Sequence, residues 1–204
     1  MAISFTVASL ATAIPALAIM LIFLGKHEKQ FDEKQLFMTF VFAIIAAALS
    51  MLVASLASFE NWFVLFVILA ALSTVVESLL LNRRKFIGMP SAVFYGSAFG
   101  LGFGTLVGTY FSKIYTDVVL WAISAFALLL AHAAAGTLSG YGSFQKKKTK
   151  YILLSLAVKL GFYFAVTGFL TGSIYANYAI SGISLAGAAA LFAYSVHALY
   201  PKAN

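Results

Sequence analysis

The stretch 88-GMPSAVFYGSAFGLGFGTLVGTYF-111 places Gly96, Gly100, Gly104 and Gly108 at every fourth position of an otherwise apolar segment. Residues four apart on a helix share a face, so the four glycines form one groove, which Gly88 and Ala92 extend in the same register. In lipid, helices gain little by burying apolar surface against one another, because acyl chains are already apolar. Close backbone approach over small residues is then a main source of contact energy. The segment reads as a membrane-spanning helix built to be packed against. Positions four apart advance about 40° around a helix of 3.6 residues per turn, so the stripe winds through about 120° and can serve two neighbours. The expectation is that the helix carrying His132 fills part of the groove and that the rest faces a partner.

Composition sets the class. Of 204 residues, 63% are hydrophobic and 9% charged, with a mean hydropathy of +1.00, whereas soluble domains carry charge on about a quarter of their residues. The chain is expected to be an all-α polytopic membrane protein forming one domain over residues 1–204. Without cysteine it has no disulfide, thiolate nucleophile or zinc–sulfur site.

Seven apolar runs reach the roughly 20 residues that a bilayer requires, near 3–24, 36–57, 61–81, 89–111, 116–141, 151–171 and 178–200. The first lacks a basic leader and reads as a retained span, with Pro15 as a possible kink. Lysine and arginine concentrate on alternate connections: Lys26, Lys29 and Lys34; Arg83, Arg84 and Lys85; Lys146, Lys147, Lys148 and Lys150; and Lys202 in the tail. The opposite connections carry only Lys113. Cytoplasmic loops are enriched in lysine and arginine, so the N-terminus is expected outside and the C-terminus in the cytoplasm, in the plasma membrane. The basic runs, 145-QKKKTK-150 included, read as topology signals that touch acidic lipid headgroups, with no nucleic-acid role.

Chemistry inside the membrane would fall to Glu77, His132 and Lys159, because a charge there costs roughly 2.5–3.5 kcal/mol and turns toward protein or water. At 1.5 Å per residue they lie roughly 8, 16 and 12 Å from the basic ends of their spans, depths at which one polar pocket can hold all three. Glu77 is also shallow enough to reach toward Arg83 or Arg84, and Lys159 to extend toward the headgroups. His132, flanked by alanines and Gly136, can bond across helices or ligate a metal, the first being the commoner use. His197, near the end of the last span, reads as interfacial.

The glycine-striped fourth span, 128-LLLAHAAAGTLSGYG-142 and the basic loop 146-KKKTKYILLSLAV-158 that opens the sixth span together resemble the anterior-pharynx-defective scaffold subunit of gamma-secretase. That family has seven spans, an outside N-terminus, a GxxxGxxxG run in its fourth helix and a histidine in its fifth. Gly96, Gly100, Gly104 and His132 match it here. The region is also similar to the related intramembrane metalloproteases of the PrsW, YhfC and CAAX types, with 75-VVESLLLNRRKF-86 in place of their paired-glutamate element. Ser78 stands where those enzymes carry a second glutamate, and the region of Lys159 to Gly161 where they carry a later histidine.

The resemblance implies a non-catalytic scaffold or binding subunit that packs on partner helices through its fourth span. Its partners would be membrane lipids and another polytopic protein or a second copy. No cofactor is expected. The alternative is an intramembrane metalloprotease using zinc with Glu77 and His132 as ligands, although a hydrolytic site needs about three protein ligands and an ammonium from Lys159 opposes a cation. A small transporter or channel is a further alternative, without a visible repeat or paired broken helices. A retinal-type receptor would need its lysine inside the last span, which has none.

Overall fold

The computed structural model describes residues 4–57, 62–167 and 173–201. The expected span ends at residue 3, residue 61 and residues 168–171, and the tail residue Lys202, lie outside them. The helices are α1 (Phe5–Ile19), α2 (Glu33–Ala57), α3 (Trp62–Leu81), α4 (Ser91–Tyr110), α5 (Val118–Phe144), α6 (Lys148–Thr167) and α7 (Ile174–Leu199), with no strand among the described residues. With α1 carried on through the following π turn to Phe23, all seven are long and apolar enough to cross a membrane. The chain is a multi-pass integral membrane protein.

Local chemistry sets several helix starts. The side chains of Ser4, Asp117 and Ser173 accept the orphan N–H groups of Val7, Leu120 and Ala176 at the heads of α1, α5 and α7. Pro15 lies within α1. Beyond Ile19 the chain widens into a π turn over Met20–Leu24 and tightens into 3-10 turns over Gly25–Gln30, leaving the helical conformation at His27. The α5–α6 connection is shorter than the basic run suggests, because helix continues through Tyr141 to Phe144 and resumes at Lys148. Lys146 takes a left-handed conformation (φ 58°), and Lys147 N–H closes on the Gly142 carbonyl at 2.9 Å.

Helix α4 is the pillar: 94% of its apolar stretch is buried, against 22% for α1 and α6. Its glycine stripe is closed from within the chain. A Cβ at Gly96 would run into the Gly136 carbonyl of α5, and one at Gly100 into the His132 carbonyl. A Cβ at Gly104 would meet Leu129 Cα at 3.0 Å, and one at Gly108 would meet Ala125 Cβ and Thr12 Cγ2 at 3.2 and 3.3 Å. The second neighbour on the winding stripe is therefore this chain's own α1. Thr12 and Thr109 hydroxyls bond there at 2.8 Å, and a partner would have to use another face. On the other side of α4, Gly102 lets the α2 backbone approach at the Phe40 carbonyl.

The three basic connections share one end of the bundle. There Gly88 N–H bonds the Ser143 carbonyl at 3.1 Å and Tyr95 OH accepts Asp32 N–H at 3.1 Å. At the opposite end Tyr115 OH donates to the Val166 carbonyl at 2.7 Å and Tyr178 OH to Asp117 at 2.9 Å, with Lys113 over the Tyr110 ring.

Candidate functional site

Helix α6 brings the three intramembrane ionisable residues together. Lys159 turns inward to α3, where its ammonium meets Glu77 Oε2 at 2.5 Å and donates to Thr74 Oγ1 at 3.3 Å. Thr74 and Glu77 stand three residues apart and so share the inner face of α3. Neither charge reaches toward the headgroups: Glu77 is 0% and Lys159 2% exposed. In a low-dielectric interior the opposite charge is a far stronger partner than a distant interface, and that decides between the two geometries.

One turn further along α6, Tyr163 shares an unbroken inner face with Lys159 and turns to α5. Its hydroxyl and His132 Nε2 lie 2.9 Å apart. The imidazole, 1% exposed, stacks on Phe103 at 5.2 Å, and the phenol ring on Phe66 at 5.3 Å. Thus Glu77 and Lys159 touch directly, and His132 is tied to the same helix through Tyr163, one turn along α6 from Lys159. Glu77 Oε1, His132 Nδ1 and Ser155 Oγ are buried and make no hydrogen bond.

The donors do not suit a zinc ion. Glu77 is neutralised by an ammonium at contact distance, and His132 is the nearest imidazole. Among the described residues no three histidine, cysteine, aspartate or glutamate side chains gather in a metal-binding group. No hydrolytic step follows from this geometry.

A second polar cluster lies toward the basic end. Ser97 and Thr137 hydroxyls bond across the α4–α5 seam at 2.7 Å, and Tyr200 OH donates to Ser97 Oγ at 2.8 Å. Burial holds the Tyr200 phenol above its ordinary pKa, so it remains a neutral donor. The Tyr200 ring packs on Phe94 at 4.9 Å and His27 at 5.6 Å, which pins the end of α7 to the connection between α1 and α2. Sequence reasoning passes over Tyr163, Thr74, Ser97, Thr137 and Tyr200. The available signals are the four-residue spacing from Lys159 to Tyr163 and the three-residue spacing from Thr74 to Glu77.

Arg83, Arg84, Lys85, Lys146 and Lys147 stand exposed or part-exposed at the basic end, and Lys148 opens α6. Lys85 lies over the Phe86 ring at 4.8 Å. Scans of the chain against models of protein families, curated proteins and solved structures find no match.

Proposed function

We propose that this protein is a non-catalytic membrane scaffold or binding subunit, of the kind its sequence resembles in gamma-secretase. On this reading the N-terminus is outside, the basic end is cytoplasmic and the membrane is the plasma membrane, as the charge asymmetry between the two ends supports. The partner is another polytopic membrane protein or a second copy of this chain.

The observation that carries the reading is the contrast between the filled glycine stripe of α4 and an open small-residue face on α7. Gly182, Ala186, Ala190 and Ala193 are exposed along α7, and a Cβ at Gly182 would meet nothing within 4 Å. Spacings of four and three keep them on one side of the helix, the surface that transmembrane helices use for close association. The polar trio meanwhile holds helices of this chain to one another, which suits a rigid support better than a reaction centre.

Extraction from the native membrane in mild detergent, with co-purifying proteins identified by mass spectrometry, tests the proposal. A polytopic partner or a stable homo-oligomer is expected, and Ala186→Leu with Ala190→Leu should lose it while thermal stability is unchanged. A clean monomer, or an assembly indifferent to the double substitution, overturns it.

A further inference from the structure

Helix α2 presents two small-residue faces with different fates. Ala43, Ala47 and Ala54 are closed against the bundle, whereas Ala46 and Ser50, one turn apart, form the floor of an open-sided cleft between α2 and α3. Phe42, Ile45, Leu49 and Val53 of α2 and Leu72 and Val76 of α3 wall it, enclosing about 280 Å³. The cleft exists because Ala46 and Ser50 are too short to fill the space between these larger side chains. The four α2 wall residues remain roughly half exposed on the outer side of the bundle.

Its size limits the occupant. A helix 10–12 Å across lying from Phe42 to Val53, about 16 Å, would need roughly 1,300–1,800 Å³. An unbranched acyl chain needs far less and matches the apolar lining. At the foot of the cleft, Val76 lies five residues, roughly 8 Å, before the end of α3 at Leu81, and Arg83 follows two residues later. Arg83, Arg84 and Lys85 are exposed there, and α2 brings Lys34 to the same end. Among the described side chains the nearby carboxylates are Asp32, which caps α2 through Gln35 N–H at 2.9 Å, and Glu33 in its first turn. Cations outnumber them, and guanidinium groups suit phosphate oxygens.

We propose that the α2–α3 cleft binds an anionic phospholipid, one acyl chain lying over Ala46 and Ser50 and the phosphate-bearing headgroup held by Arg83 and Arg84. The site is independent of the scaffold reading, which rests on α7. It differs from the diffuse attraction of a basic loop for acidic headgroups because a fixed slot and a fixed pair of guanidinium groups select one molecule at one place.

The test uses the full chain in detergent, titrated with phosphatidylglycerol, phosphatidylcholine or soluble glycerol phosphate, with retained molecules counted by native mass spectrometry. Phosphatidylglycerol should be retained on the order of tenfold more tightly than phosphatidylcholine, and Arg83→Gln with Arg84→Gln should erase that preference. Ala46→Leu, or Ser50→Leu if the first destabilises the fold, should fill the slot and release the lipid while thermal stability in detergent alone is kept. Equal retention of the two lipids, or retention unchanged in either the arginine or the filled-slot variants, overturns the proposal. Competition by glycerol phosphate as effective as the lipid would show a headgroup site without a chain slot and overturn it too.

Discussion

The α4–α5 and α3–α6 seams join helices of one bundle by opposite means. Helices α4 and α5 meet backbone against backbone, Gly96 on Gly136 and Gly140 on Ala92, with no room for a single added carbon. The polar side chains in that seam are the Trp121 indole, whose N–H donates to the Gly108 carbonyl at 2.9 Å, and a pair of hydroxyls. Ser97 and Thr137 share one hydrogen bond, and whichever hydroxyl accepts it returns its own proton to its helix, Ser97 to the Val93 carbonyl or Thr137 to the Ala133 carbonyl. Helix α3 has no glycine, and Gly161 of α6 faces open space. There the helices are joined by the Lys159–Glu77 ion pair. Shape sets register in the first seam and charge in the second, two solutions to the same lack of a hydrophobic driving force between helices in lipid.

The comparison is broken most severely at Gly100. Leucine there must displace the His132 carbonyl and the Ala133 Cα, both main-chain atoms of α5. The expected cost exceeds about 3 kcal/mol, the upper end of ordinary overpacking, since no side-chain rotation relieves it. Folded yield and thermal unfolding in detergent measure this. Gly161→Leu is the control, expected within about 0.5 kcal/mol of the parent because nothing lies within 4 Å. Equal tolerance at both positions would mean that α4 and α5 do not meet as described.

At the α3–α6 seam the signature is non-additivity. Lys159→Met leaves the Glu77 carboxylate buried without its counter-ion and should cost about 3–5 kcal/mol, as should Glu77→Leu alone. The two together remove both charges and should recover most of that loss. Additive losses would show that the two side chains do not compensate one another. Tyr163→Phe probes the other side of α6, its contact with α5, at lower amplitude. It deletes the hydroxyl bonded to His132 and should cost about 0.6–1.7 kcal/mol, the range for hydrogen bonds between membrane helices.

These seams differ in how far the sequence shows them. Seven helices are legible because a bilayer demands long apolar runs, and the stripe from Gly96 to Gly108 shows which face of α4 is small. It points to the helix of His132 as one neighbour for that face but does not show α1 as the other, since helix rotation depends on every other contact. Nor does it show Gly102, a lone glycine that admits α2 from the far side. Lys159 and Glu77 are visible as costly residues, but they are 82 positions apart, so pairing and reaching to the headgroups are equally compatible with the chain. Tyr163 and Tyr200 are hidden for another reason: aromatic residues abound in membrane spans and at their ends, and neither stands out until the helices around it are in place.

The smallest effect belongs to a charge placed where water reaches it. Asp117 caps α5 through Leu120 N–H at 2.8 Å and accepts Tyr178 OH from α7 at 2.9 Å. The N–H first and the phenol second hold its pKa below the ordinary carboxylate value. A lowered folded-state pKa means that the contribution to stability is complete above the unfolded value, about 3.9, and is lost as pH falls through the lowered folded value. Asp117→Asn keeps a capping oxygen but cannot titrate. At neutral pH the parent should melt slightly above the variant, and the gap should close as the pH drops below about 4. Parent and variant share every other carboxylate, so the difference between them isolates the change at Asp117. A gap that stays constant down to strongly acid pH would show that Asp117 acts through shape alone, as the glycine seam does.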